Sequence, residues 1–323
     1  MSALHNIVPF TADLPLAVTD VESQIGNTPL IGFKRVTAHL PSSVQVFAKA
    51  EWHNPGGSVK DRPAREIVRQ ALADGRLGNG QILMDSTSGN TGIAYAMLGA
   101  SKGFGVKLFM SSAVSNERVA ILRAYGVDIE FTDPMEGSDG AIRAVRDLAE
   151  REPEKYFYAD QYNNSANWQA HYKTTGIEIW EQTEGRVTHF VAGLGTSGTL
   201  TGTGRRLREY NPDIQIISSE PDIAFHGIEG WKHMESSITP GIYDDSFADQ
   251  AITASTEDSY TMTKRLAREE GYLVSPSAGG AMVSALKIAE DLAEQGKSGV
   301  VVTVFPDNAY KYLSSNFWNE YYF

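Results

Sequence analysis

Lys60 sits within Trp52-His-Asn-Pro-Gly-Gly-Ser-Val-Lys-Asp-Arg62, between a glycine-rich turn and the start of a helical pattern. Ala64, Ile67, Val68, Ala71 and Leu72 repeat at i, i+3, i+4, i+7 and i+8, which predicts a helix with these residues on its buried face; Pro63 is tolerated only in a first turn. A lysine at that N-terminus meets the positive end of the helix dipole. The free amine is thereby favoured, and a Schiff base with an aldehyde becomes plausible chemistry. A surface lysine at a helix start fits the same segment, which does not choose between the two.

Two further turns share the order strand, glycine-rich turn, helix. Gln81-Ile-Leu-Met-Asp85 reads as a buried strand, Ser86-Thr-Ser-Gly-Asn-Thr-Gly92 as a tight turn, and Ile93, Ala96, Met97 and Ala100 as the inner face of the helix that follows. Hydroxyls and an amide beside the unpaired N–H groups of a helix start suit a carboxylate. An ordinary capped turn does not call for so many hydroxyls together with glycine. Gly195-Thr-Ser-Gly-Thr199, between the strand His189–Leu194 and a helix carrying Leu200 and Leu207, suits a phosphate by the same argument. Gly193–Gly198 also matches the G-x-G-x-x-G dinucleotide fingerprint, with Glu220 following where a ribose-binding acid belongs. An NAD-dependent dehydrogenase is therefore a competing reading, and it leaves Lys60 and the Ser86–Gly92 turn without a task.

Holding three such turns takes strands that feed helices, and the alternation predicts an α/β fold. A chain of 323 residues exceeds the usual single core and predicts two domains, with a polar break at Arg151-Glu-Pro-Glu-Lys155 as a boundary signal. A net charge of −12 without a lysine or arginine run argues against nucleic acid and anionic membranes, and leaves small molecules as partners. No apolar run approaches the roughly 20 residues of a membrane span, and the N-terminus lacks a charged stretch before an apolar core, so a cytoplasmic location is expected. The absence of cysteine removes disulfides, thiolate catalysis and thiolate-bound zinc. His5, His39, His53, His171, His189, His226 and His233 show no metal-ligand spacing, and no metal site is expected. The aromatic C-terminus Asn316–Phe323 is expected to pack on the body or on a second subunit.

Along nearly its whole length the chain resembles the pyridoxal-phosphate enzymes of fold type II, in the group of cysteine synthases (O-acetylserine sulfhydrylases) and cystathionine β-synthases. The resemblance is carried by Ile25-Gly-Asn-Thr-Pro-Leu30, Asn54–Arg62, Thr87-Ser-Gly-Asn-Thr-Gly92, Asp160-Gln-Tyr-Asn-Asn-Ser-Ala-Asn167, Gly195–Thr199 and Ser277-Ala-Gly279, in the family's order. It implies a tryptophan synthase β-like α/β fold of two domains, each a mainly parallel twisted sheet flanked by helices. Residues 54–159 would form the smaller, mobile domain, and residues 1–53 with 160–323 the larger one. It implies pyridoxal 5'-phosphate on Lys60, its 3-hydroxyl on Asn90, its phosphate on Gly195, Thr196, Ser197, Gly198 and Thr199, and its pyridine nitrogen facing Ser277. Thr87, Ser88, Gly89, Asn90, Thr91 and Gln161 would hold the substrate's α-carboxylate. A neutral hydroxyl opposite the pyridine nitrogen weakens electron withdrawal and favours expulsion of a group from Cβ over transamination. Ser277 is also expected to cap the helix of Ala281, Met282, Ala285 and Leu286.

The implied activity is β-replacement: an activated L-serine, O-acetylserine or O-phosphoserine, exchanges its β-substituent for sulfur through an aminoacrylate to give L-cysteine. Lys60 would serve as the general base. The sulfur donor would be sulfide or a thiocarboxylated carrier protein; condensation of serine with homocysteine is the alternative within the family, and a homodimer is expected. The chain departs from the family's pattern at Ser86, where proline is usual, and at Ser197, where glycine is usual. Lys232, with His226 or His233 nearby, offers charge for a phosphate ester, and equally reads as a solvated surface lysine.

Overall fold

The computed structural model describes residues 19–78 and 80–319. In chain order the principal elements are β1 (Leu30–Gly32), β2 (Val44–Ala50), α1 (Asp61–Ala73), β3 (Ile82–Ser86), α2 (Asn90–Lys102), β4 (Val106–Ser111), α3 (Asn116–Ala124), β5 (Asp128–Thr132), α4 (Gly137–Arg151) and β6 (Tyr156–Tyr158). They continue with α5 (Ala166–Lys173), α6 (Thr175–Gln182), β7 (His189–Gly193), α7 (Gly198–Tyr210), β8 (Gln215–Pro221), β9 (Gln250–Ala254), α8 (Thr256–Arg265), α9 (Pro276–Glu294) and β10 (Gly299–Phe305).

The strands form two sheets, ordered β5-β4-β3-β6 and β1-β2-β10-β7-β8-β9. All neighbours are parallel except β1, which runs antiparallel to β2 at one edge. Parallel strands are covered on both faces and so read as continuous apolar runs; Val301, Val302, Val304 and Phe305 of β10 are all buried. Strand order reverses beside β3 in one sheet and beside β7 in the other. Ligands of open parallel sheets lie outside the carboxyl ends of strands at such reversals. These are the two strands that run into Ser86–Gly92 and Gly195–Thr199.

Several local expectations need correction. Leu72 is 40% exposed, because α1 ends one residue later and its buried face is complete with Pro63, Ala64, Ile67, Val68 and Ala71. In α2, Thr91–Gly99 are buried all round while Ala100 is exposed, so this is an enclosed helix and not an amphipathic one. Its close fit shows at Gly92, where a Cβ would lie 2.4 Å from Leu108 Cδ1. The polar break at 151–155 is not a boundary: it joins α4 to β6, and β6 pairs with β3 inside the four-stranded sheet. Of the aromatic C-terminus, Phe317 stacks on Tyr260 with ring centroids 4.4 Å apart, and residues 320–323 lie outside the described residues. The first 18 residues of the expected larger domain also lie outside them.

Candidate active site

Lys60 occupies the N-cap position of α1 and is half-buried. One cavity is lined by Lys60, Asn90, Gly195, Thr196, Ser197, Thr199 and Ser277, and an adjoining one by Lys60, Thr87, Ser88, Thr91, Gln161 and Lys232. Turns separated by more than a hundred residues thus converge on one amine. Burial lowers the pKa of Lys60, and the carboxylate of Asp307 acts in the opposite sense. The neutral, nucleophilic amine is therefore more accessible than on a surface lysine.

The turn after β3 is tied from within. Thr87 Oγ1 accepts the N–H groups of Gly89 at 3.0 Å and Gly92 at 3.4 Å, which leaves its own O–H to donate. Thr91 Oγ1 donates to Gln161 Oε1 at 2.8 Å, and Gln161 Nε2 donates to the Ser86 carbonyl at 2.7 Å. Gln161 therefore braces the turn as well as lining the cavity, while Ser88 is the exposed member at the mouth. Asn90 Nδ2 donates to Asp307 Oδ2 at 2.9 Å, and Asn90 Oδ1 is buried with no partner among the described residues.

The turn after β7 opens α7, whose first N–H groups have no intrahelical acceptor, an arrangement that suits an anion. A Cβ on Gly198 would lie 2.0 Å from Asn167 Oδ1, so only glycine admits this approach. Ser197 adopts φ +69°, a left-handed conformation that costs a non-glycine residue about 1–2 kcal/mol. Its hydroxyl is buried and has no partner among the described residues. His171 braces the same turn, with Nδ1 2.8 Å from Thr175 Oγ1 and Nε2 3.3 Å from Thr199 Oγ1. Burial first, and Arg62 second, lower its pKa to about 3, so it remains neutral.

Ser277 is not the helix cap. Ser275 holds that position, accepting from Ala278 N–H at 3.3 Å, and Pro276 takes the first helical site. Proline's preference for that site is the signal that would have assigned the cap. Ser277 is left facing the cavity, with its Oγ 3.0 Å from that of Ser275.

Lys232 is 5% exposed and not a solvated surface lysine; its Nζ lies 3.0 Å from Asp139 Oδ1. His233 is turned to Ser236 Oγ at 2.9 Å and His226 to the Ile228 N–H at 3.2 Å, so neither joins it. Glu220, expected as a ribose ligand under the dinucleotide reading, accepts from Met234 N–H at 2.8 Å and is committed to the fold.

Three groups were not legible in advance. Arg62, fully buried, binds Glu51 at 2.7 Å and Glu178 at 2.7 Å, and Lys49 lies 2.6 Å from Glu178. Asp307 is fully buried beside Asn90. Arg118, 2% exposed, enters the cavity wall, pairs with Glu229 and lies 4.4 Å from the Tyr312 ring centroid. Glu178 for Arg62, Asn90 for Asp307 and Glu229 for Arg118 come from distant segments, and no local spacing marks these pairs.

This fold and site define a pyridoxal-phosphate-dependent enzyme: residues 21–307 match the family of that description, and the chain belongs to it. It is 52% identical over 297 residues to a cysteine synthase of Aquifex aeolicus, covering 92% of this chain and 91% of that protein. The crystal structure of a cysteine synthase from Entamoeba histolytica matches with a TM-score of 0.88 at 34% identity, covering 97% of this chain and 94% of that one. An O-acetylserine-dependent cystathionine β-synthase from Helicobacter pylori matches with a TM-score of 0.86 at 33% identity, covering 94% and 99%. The residues present fit the cofactor. The cavity combines an amine of lowered pKa, an anion-ready helix start and two buried polar atoms, Asn90 Oδ1 and Ser197 Oγ, that lack partners among the described residues.

Proposed function

We propose that this enzyme makes L-cysteine by β-replacement, exchanging the β-substituent of an activated L-serine for sulfur. The convergence of Lys60 with the two glycine-rich turns on adjoining cavities supports this reading most directly. Lys60, Asn90, the turn from Gly195 to Thr199 and Ser277 hold the cofactor; Thr87, Ser88, Gly89, Thr91 and Gln161 orient the substrate's carboxylate. When bound, pyridoxal phosphate withdraws electrons from the Cα of an amino acid joined to its aldehyde, so that the α-proton and the β-substituent can leave. Lys60, whose pKa burial lowers, takes the Cα proton and returns it after the sulfur nucleophile has added at Cβ. Ser277, which lines the same cavity, would offer the cofactor a neutral hydroxyl where a carboxylate would strengthen its electron withdrawal. Residues 54–159 act as the smaller domain, closing on the larger to exclude water. The enzyme works in the cytoplasm as a homodimer, and no helix among the described residues is long and apolar enough to cross a membrane.

The test is product formation from O-acetylserine with sulfide, or with homocysteine for the cystathionine-forming alternative that the Helicobacter likeness keeps open. No thioether or thiol product with either would sink the reading. Thr87→Ala and Gln161→Ala are expected to raise KM about tenfold, the scale of one lost hydrogen bond to a charged group, while titration of the apoprotein with pyridoxal phosphate stays unchanged. Unaltered KM in both variants would remove the carboxylate assignment.

Lys232 bears on the leaving group. Asp139 already neutralises it, so O-acetylserine is the activated serine we favour, and a phosphate ester is accepted only by drawing Lys232 away from Asp139. In Lys232→Ala, kcat/KM for O-phosphoserine should fall about tenfold while that for O-acetylserine changes little. Equal effects on the two esters would exclude recognition by Lys232.

A further inference from the structure

Asp307 lies in none of the sequence motifs, yet three parts of the site meet on it. Its backbone bridges antiparallel to Ser58, two residues before Lys60, and Val59 N–H donates to the neighbouring Pro306 carbonyl at 2.8 Å. Its carbonyl accepts from the N–H of Ser275, cap of the helix that carries Ser277, at 3.3 Å. Its side chain receives Asn90 Nδ2 at 2.9 Å and the Tyr312 hydroxyl at 2.9 Å, with Lys311 Nζ at 3.3 Å, all on Oδ2. The other oxygen, Oδ1, is buried and has no hydrogen-bond partner among the described residues.

A fully buried carboxylate oxygen left without a donor is unfavourable unless a donor arrives during function. The candidate donor is Lys60. Among the charged groups around it, Asp307 is the one that favours its protonated form. A base that takes a proton in a buried cavity becomes a buried cation, which is stable only beside a counter-charge. We propose that Asp307 is the positioning residue for Lys60, its free Oδ1 receiving the ammonium formed when Lys60 takes the substrate's Cα proton, while Oδ2 keeps Asn90 aimed into the cofactor cavity. In that step the Cα–H bond breaks, its electron pair stays on the substrate and an N–H bond forms on Lys60. Asp307 takes no part in the bond changes and only orients the proton that Lys60 carries. The proposal rests on the reading of Lys60 as the base.

Other charges share this space. Lys311 and Tyr312 come from the segment of Asp307 itself, Asp61 from α1 and Arg118 from α3; His171 feels Lys60 from α5 and is kept neutral by burial. Lys311 offsets part of the Asp307 charge, which predicts two variants of opposite sign. Asp307→Asn keeps the size and an acceptor for Asn90 but removes the charge. It should move the protonation midpoint of Lys60 down by about one pH unit. Lys311→Met leaves the carboxylate unshared and should move the midpoint up. The midpoint is read on the full-length apoprotein by competitive acetic anhydride labelling of Lys60 across pH, followed by peptide mass spectrometry. The acid limb of kcat in the loaded enzyme should shift the same way. Asp307→Ser replaces the asparagine form if that does not fold. A midpoint unmoved in both charge variants, whatever happens to turnover, overturns the proposal by reducing Asp307 to a scaffold. Midpoints that shift as expected in a chain that forms no cysteine would support the pairing and overturn the functional reading instead.

Discussion

Lys60→Ala is expected to lower turnover by about 10⁴-fold or more, the combined loss of a covalent anchor and a general base. Its thermal midpoint should stay near that of the wild type. The two halves of this expectation have separate grounds. The side chain of Lys60 faces the cavity, and no hydrogen bond or ion pair holds its Nζ among the described residues, so the fold loses little when it is truncated. The chemistry loses the one amine in that cavity whose pKa burial lowers. Borohydride reduction followed by peptide mass spectrometry should find the cofactor's mass on the peptide containing Lys60 in the wild type, and on no peptide in the variant. Retention of turnover within tenfold would assign the chemistry to another residue.

Legibility of the site followed the distance over which each part is determined. The three glycine-rich turns could be read because strand, turn and helix lie within a few residues of one another, so periodicity and turn chemistry suffice. The α/β class followed from the same alternation, and the parallel arrangement of the sheets from the family resemblance. The errors arose where tertiary contact decides. Leu72 has helical spacing but falls in the last turn of α1, beyond the packing surface. Ser275 and Ser277 flank Pro276 and look alike as caps, and only the preference of proline for the first helical position separates them. Lys232 reads as a surface lysine until α4 brings Asp139 against it. Asp307 is invisible in sequence because Asn90, its main partner, lies 217 positions away.

The same remoteness hides the charges that anchor α1, and removing one of them is expected to produce the largest loss of stability. In Arg62→Met the unfolding free energy should fall by about 3–5 kcal/mol, the usual result of leaving a buried ion without its partner. For a chain of this size that corresponds to a thermal midpoint about 4–7 °C lower. Arg62 donates to Glu51 through Nε at 2.7 Å and Nη2 at 2.8 Å, to Glu178 through Nη1 at 2.7 Å and Nη2 at 2.8 Å, and to Thr28 Oγ1 at 3.1 Å. Lys49 completes a neutral set with these two carboxylates. The cluster ties the segment before β1 to the end of β2, to α6 and to the helix that begins beside Lys60, so its failure would also loosen the reactive amine. An apolar replacement for the whole cluster could be tolerated, but a single deletion leaves Glu51 buried and uncompensated. The pH dependence follows from Glu178. Burial would raise its pKa, yet Arg62 and then Lys49 outweigh burial and bring it from 4.5 to about 2. A carboxyl depressed in this way contributes stability that is full above pH 4.5 and is lost as the pH falls toward 2. Without Arg62 the carboxyls protonate at higher pH, so the gap between wild type and variant should be widest near neutrality and should narrow on acidification. Denaturant unfolding at matched, saturating pyridoxal phosphate measures that gap without a contribution from unequal ligand binding. A loss below about 1 kcal/mol at neutral pH, or a gap that widens in acid, would show that Arg62 is not the charge on which the cluster depends.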